Sequence, residues 1–386
     1  MMHNKDRFII ATVGHGSIYD NEAWMLHKHG LLRFVARGTR RGVAGIPLER
    51  TRLKPIIGLS AYAATHCLSA YQAESFWFGL SRWLDHWVKD QLRPGDHVIS
   101  TYGVALETFK RARRQGGKTF LDAGNSHPDY FWSVLQEEHR RWGCRQPPIA
   151  PHHYERSLAM LSHVDYVLSA STFVTNSFLE RGFKPDQILP HPRIVDLSSF
   201  KPSTLQRHKD RPLTLISTGA LCLRKGTPYL LEAYRLIRRK IPDARLILRR
   251  IIRDDVKDVI RQFSDLPIEW LESMPHHQLA EHLRNADVFL LPSLEDGLAL
   301  TVVEALACGL PVIITPNTGA SDLMMAGING EIVPIRDATA IANAVEKWWE
   351  KILSVEKLNI SFNTRLLSPE HFEATFLGQL RALQLA

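Results

Sequence analysis

From residue 213 to residue 350, short apolar or β-branched runs alternate with helical patterns, and few folds other than a parallel sheet flanked by helices accommodate that alternation. Residues 213–218 read as a strand and 219–226 as a loop. A helix follows, with Thr227 as N-cap and Pro228 at its first position. Its apolar residues Leu230, Leu231, Tyr234 and Ile237 recur at helical spacing. Further strands are read at 245–250, 268–271, 287–292, 311–315 and 332–334, with helices at 277–285, 299–308 and 338–350. Such doubly wound domains bind nucleotides beyond the carboxyl ends of their strands.

The first half is less regular but similar in kind. A strand at 8–13 runs into the glycine turn Gly14-His15-Gly16, and 98–101, 119–122 and 166–169 are further strands. Residues 73–88 predict a helix whose aromatics, Phe76, Trp77, Trp83 and Trp87, suit core packing better than a sugar platform. The turn-rich stretch from Pro190 to Pro202 lacks periodicity and marks a linker. An amphipathic helix at 370–385 closes the pattern. A chain of 386 residues suits two domains of roughly 150–200 each.

Charge divides unevenly between the halves. Residues 1–196 hold 25 Lys/Arg against 18 Asp/Glu, whereas the remainder holds 23 against 22. The basic clusters at 33–41, 50–54 and 110–118 suit an acidic ligand or an anionic membrane surface, or form a solvated basic face. They lack interleaved aromatics and no reader motif accompanies them, which argues against nucleic acid. Four scattered cysteines without a CxxC pair give neither a disulfide framework nor a zinc site. The pairs His27/His29, His152-His153 and His276-His277 have no HExxH spacing, so no metal is assigned. The polar N-terminus is unlike a secretory signal, and the apolar runs fall far short of the ~20 residues that span a bilayer. These features predict a cytoplasmic protein.

The densest chemical signal is Pro292-Ser293-Leu294-Glu295-Asp296-Gly297-Leu298-Ala299-Leu300-Thr301-Val302-Val303-Glu304-Ala305. A strand ends, a carboxylate and a glycine make the turn, and a helix begins. The N–H groups of Leu298, Ala299 and Leu300 would then be free to seat a phosphate, with the helix dipole behind them. Carboxylates so close to a phosphate must face hydroxyls, such as those of sugar and ribose. The plainer reading makes Asp296 an N-cap and Glu304 a surface acid.

This segment resembles the carboxylate-x7-carboxylate motif of the retaining glycosyltransferases of family 4, and continues as Ala307-Cys308-Gly309-x-Pro311-Val312. Asp296 stands where the family usually has Glu, and Leu298-Ala299 where it has Phe-Gly; Glu295 would give a longer spacing and fits less well. Thr218-Gly219-Ala220-Leu221-x-x-x-Lys225-Gly226 resembles the family's donor-diphosphate loop, with Ala220 in place of a common Arg. Ala286-Asp287-Val288, Gly327-x-Asn329-Gly330 and Asp165-Tyr166-Val167 extend the likeness, which is strong over 151–350 and weaker before.

The resemblance implies the GT-B fold, an α/β architecture of two facing Rossmann-like domains. Residues 1–195 would form the acceptor-side domain, with the helix 370–386 packed back on it, and 196–369 the nucleotide-sugar domain. It further implies sugar transfer from a nucleotide-sugar donor to a glycan, lipid-linked or small-molecule acceptor, with retained anomeric configuration and no metal or other cofactor. Lys225 and Arg224 would neutralise the diphosphate, together with Gly297, Leu298, Ala299, Leu300 and, from across the cleft, Gly14 and Gly16. Glu304 would hold the ribose, Asp296 a sugar hydroxyl, and His127 would lie near the transferred sugar. A basic acceptor domain would allow peripheral contact with an anionic membrane. A catalytically silent sugar-nucleotide or glycan-binding module and a nucleotide-sugar epimerase of the same fold remain alternatives.

Overall fold

The structure, a computed structural model, describes residues 7–13, 17–38, 42–54, 70–203, 211–355 and 358–386, and of residues 17–19 and 70–75 only the backbone. The predicted turn Gly14-His15-Gly16 lies outside the described residues. The strands assemble into two sheets in which every pairing is parallel. The first holds β1 (Phe8–Thr12), β2 (Leu32–Arg37), β3 (Thr51–Leu53), β4 (His97–Ser100), β5 (Thr119–Ala123), β6 (Tyr166–Ser169) and β7 (Ile188–Pro190), in the order β3-β2-β1-β4-β5-β6-β7. The second holds β8 (Thr214–Ser217), β9 (Arg245–Arg249), β10 (Ile268–Leu271), β11 (Val288–Leu291), β12 (Val312–Ile314) and β13 (Gly330–Ile332), in the order β10-β9-β8-β11-β12-β13. Each order reverses once, between β1 and β4 and between β8 and β11, and ligands of such sheets lie beyond the carboxyl ends of the reversing pair.

Helices cover both faces: α1 (Ser17–Lys28), α2 (Ala70–Lys89), α3 (Leu106–Arg114), α4 (Pro128–Arg141), α5 (Pro151–Leu161), α6 (Thr172–Leu179), α7 (Thr227–Lys240), α8 (Lys257–Arg261), α9 (His276–Asn285), α10 (Leu300–Ala307), α11 (Ala338–Ser354) and α12 (Pro369–Ala382). The predicted stripe of α7 is buried and packs with Leu215, Leu246 and Trp348 on one face of the second sheet. Each such aliphatic side chain removed from water contributes about 1.5–3 kcal/mol. The opposite face carries α9 and α10 through Leu279, Leu283, Val302, Val303 and Leu306. Phe372, Phe376, Leu377 and Leu380 of α12 pack against Phe8, Ile10 and Phe120, so the C-terminal helix lies on the first sheet.

Aspartates staple the strand starts. Asp287, just before β11, accepts from Thr214 N of β8 at 2.8 Å, and Asp165, just before β6, accepts from Thr119 N of β5 at 2.9 Å. Two predicted details change. The N-cap of α7 is Gly226, in the left-handed region at φ 68, while the Thr227 hydroxyl turns back to accept from Cys222 N and donate to Cys222 O, each at 3.0 Å. Helix α10 begins at Leu300, one residue late, because Ala299 is itself left-handed at φ 63. In α2, Trp77 and Trp87 pack on the core as expected, but Phe76 and Trp83 are exposed.

Candidate functional site

The carboxyl ends of β8 and β11 bring together the two segments singled out in the sequence. The Leu294 N–H donates to Arg224 O at 2.9 Å. Gly226 passes so near that an added Cβ would lie 1.9 Å from Pro292 O. Only glycine meets both that approach and the positive φ.

Lys225 Nζ forms an ion pair with the Asp296 carboxylate, whose Oδ1 accepts from Ala299 N at 3.0 Å. The Asp296 main chain is fixed as well, its N–H donating to Asn317 O at 2.9 Å and its carbonyl accepting from Gly319 N at 2.8 Å. Burial pushes the Asp296 carboxyl up, but the charges of Lys225 and Arg224 and two hydrogen bonds outweigh it and hold the pKa below the usual range. The expected anion seat needs a correction here, because the Ala299 N–H is spent on Asp296 and is not free.

Glu304 lies elsewhere. Half-buried on α10, it feels the charges of His276, the first residue of α9, and Arg249, the last of β9. Burial raises its pKa and the two bases oppose that rise. The two carboxylates of the motif therefore sit in separate surroundings, Asp296 with the loop cations and Glu304 with Arg249 and His276. Arg249 Nε is buried without a hydrogen-bond partner, as are the hydroxyls of Thr218, Ser293 and Ser126. Buried polar groups are nearly always bonded, so these atoms are unspent capacity at the strand ends.

The first domain meets this edge directly. The Ser126 N–H donates to Glu295 Oε1 at 2.9 Å, and an added Cβ on Gly297 would lie 1.8 Å from Gly124 O. Asn317 Nδ2 donates to the Tyr130 hydroxyl at 2.8 Å, and Thr172 N to Asp322 Oδ2 at 2.8 Å. Along α4, Glu138 accepts from the Tyr229 hydroxyl at 2.7 Å and from Arg336 Nε at 2.8 Å.

His127 caps α4, its Nδ1 accepting from Asp129 N at 3.1 Å, and its ring packs edge-on against Phe178 at 5.1 Å and Phe183 at 6.2 Å. Those contacts all belong to the first domain. Burial lowers its pKa to about 4, so the ring is neutral at pH 7. Gly14 and Gly16 lie outside the described residues. Among the described residues no group of three or more His, Cys, Asp or Glu could hold a metal ion.

Sequence reasoning passed over Glu295, Ser126, Tyr130, Asn317 and Arg249. Glu295 has the less fitting spacing for the motif, and the others have no local signal, because their partners are remote in the chain.

Residues 203–359 match the family model described as glycosyl transferases group 1. The chain is 28% identical over 278 residues to a GDP-mannose-dependent alpha-(1-6)-phosphatidylinositol monomannoside mannosyltransferase of Mycolicibacterium smegmatis, covering 65% of this chain and 67% of that protein. It is 29% identical over 187 residues to the putative colanic acid biosynthesis glycosyltransferase WcaL of Salmonella typhimurium, an alignment spanning 46% of each, so less than half of that relative is matched. Among solved structures, the sucrose-phosphate synthase of Thermosynechococcus elongatus superposes with a TM-score of 0.65 at 19% identity, over 97% of this chain and 98% of that one. Residues 203–359 are therefore similar to the group 1 glycosyl transferases, and the chain as a whole has the GT-B architecture of two parallel-sheet Rossmann-like halves.

Proposed function

We propose that this chain transfers a sugar from a nucleotide-sugar donor to a glycan, lipid-linked or small-molecule acceptor, with retention of the anomeric configuration. The observation that carries the reading is the convergence of Lys225, Arg224, Asp296 and unspent buried hydroxyls at the carboxyl ends of β8 and β11, where the strand order reverses. The bond to be broken joins an anomeric carbon to a phosphate oxygen, and negative charge grows on the departing diphosphate. Lys225, Arg224 and the main-chain N–H groups of Leu298 and Leu300 answer that charge without a metal, in a cleft that excludes water once the halves meet. In this reading Lys225 exchanges its carboxylate partner for the diphosphate. Asp296 thereby becomes available to a sugar hydroxyl, Glu304 takes the ribose hydroxyls, and His127, held neutral, borders the sugar.

The acceptor falls to the first domain, which carries the basic excess. On its edge, Lys54 Nζ lies 4.8 Å from the Trp87 ring centre and 5.5 Å from that of Trp83, which is exposed, as is Phe76 two turns earlier on α2. Lysine and tryptophan side by side suit an anionic lipid surface. Binding to vesicles that rises with anionic lipid and falls with salt supports this part; indifference to both contradicts it. No helix of the described residues is long and apolar enough to cross a membrane.

A thermal-shift panel of UDP-, GDP- and ADP-sugars tests the donor reading. One class should raise the Tm of the wild type and fail to raise that of Lys225→Ala. Stabilisation that survives the substitution places the donor elsewhere.

A further inference from the structure

Glu295 takes no part in the chemistry above, yet its side chain is fully buried where the two domains touch. A carboxylate removed from water persists only when its oxygens are met by donors. Here they are met from both sides of the cleft. Oε1 accepts from the Ser126 main-chain N–H at 2.9 Å, and Oε2 lies 3.1 Å from Arg224 Nη1. The same Nη1 donates to the Glu295 carbonyl at 2.8 Å, so one residue clasps the guanidinium by side chain and main chain together.

The Ser126 N–H can reach that carboxylate only while the loop at 124–126 lies against Gly297. That contact is already at its limit, with no room for a Cβ between Gly297 and Gly124 O. Docking the loop and fixing the carboxylate are one event. Arginine is long and rotamer-rich, and a second cation aimed at a leaving group is useful only if its direction is set beforehand.

We propose that Glu295 is a positioning residue that couples docking of the 124–126 loop to the aim of Arg224. The guanidinium is thereby presented to the departing diphosphate only when the halves meet. Glu295 itself touches no substrate; the proposal rests on the nucleotide-sugar reading of the site. The expected signature is a loss in kcat rather than in donor KM, because the alignment matters as charge develops in the transition state.

The test is a double-substitution cycle in the full chain, with Glu295→Gln, Arg224→Ala and the pair, assayed with the nucleotide sugar that stabilises the wild type. Glu295→Gln should lose about 10- to 100-fold in kcat with donor KM within about threefold, Arg224→Ala should lose at least as much in kcat, and the pair should be no slower than Arg224→Ala alone. Glu295→Asp, one methylene too short to reach both partners, should fall between wild type and Glu295→Gln. Losses that multiply in the pair, or a wild-type kcat in Glu295→Gln, overturn the proposal. Small-angle scattering gives a readout independent of turnover: Glu295→Gln should have a larger radius of gyration than the wild type, and an unchanged radius overturns the coupling. Should the wild type neither bind nor turn over any nucleotide sugar, the donor reading fails, and the scattering comparison still decides whether Glu295 holds the halves together.

Discussion

The two sheets share a topology but use their carboxyl edges differently. At the first edge the described charges cluster around one buried arginine, although Glu22 Oε2, Arg37 Nε and His191 Nδ1 have no hydrogen-bond partner. Asp122, at the end of β5, and Glu22, on α1, flank Arg193, which pairs with both; His191 Nε2 lies 2.8 Å from Glu22 Oε1. Arg37, the last residue of β2, is buried against Asp20. Burial drives Glu22 up to about 7 and His191 down to about 3, so this pair is neutral between those values; burial also pushes the Asp122 carboxyl up, against the charge of Arg193. At the second edge the cations stand in loops, and the hydroxyls of Thr218 and Ser293 have no partner. The reversal of strand order provides a crevice in both sheets; a buried Glu22–Arg193–Asp122 cluster lies at the first, whereas at the second the ion pairs Lys225–Asp296 and Arg224–Glu295 stand in loops.

The contrast breaks most readily at the first edge. Arg193→Met removes the cation between two buried carboxylates and should destabilise the chain by about 3–5 kcal/mol, measured by urea unfolding. A loss under about 1 kcal/mol would mean that this network does not hold the linker to the first sheet.

At the second edge the largest effect should come from geometry. Gly297→Ala pushes a Cβ against Gly124 O and should slow transfer roughly 100-fold. The shift in Tm given by a bound donor should survive, since the donor cations belong to the second domain alone. Equal loss of donor binding would contradict that division.

Stability should also depend on pH. His97 and His127 are pushed down to about 4 and His191 to about 3, mainly by burial. The unfolded chain takes up these protons near pH 6.5 and the folded chain does not, so stability present above 6.5 is lost as pH falls toward 4. Glu22 acts in the opposite sense, its raised pKa making the folded chain the better proton binder between about 4.5 and 7. Tm should therefore decline from pH 6 to pH 4, and a flat or rising Tm would contradict neutral burial of the three histidines.

The smallest effect concerns Ala299, whose φ of 63 is strained for a residue with a Cβ. Ala299→Gly should stabilise by up to about 1 kcal/mol in thermal unfolding, less whatever packing the methyl provides.

The same contrast explains what could be read from the sequence. In the second sheet the strands are short apolar runs between turn residues, and every predicted strand there lies within about two residues of the observed one. In the first sheet β2, β3 and β7 carry no such signal, β3 being three residues inside a basic cluster. β2 carries Arg33 and Arg37, whose charges are cancelled by Asp96 and Asp20 in other segments, so the run does not look like a buried strand. β7 is three residues ending in Pro190, within a turn-rich stretch. At the site, Asp296, Lys225 and Arg224 were legible because loop and helix signals lie within a few residues of each. The burial of Glu295 was not, because it depends on a main-chain N–H 169 residues away. The spent Ala299 N–H was likewise hidden, since a carboxylate three residues earlier reads equally well as a cap or as a ligand group.

The most direct measurement is a crystal structure of the full chain with a nucleotide sugar bound. The diphosphate should lie against Lys225 and the N–H groups of Leu298 and Leu300, the ribose on Glu304, and the Asp296 carboxylate should be released from Lys225. A diphosphate bound away from Lys225, with the Lys225–Asp296 pair intact, would contradict that placement.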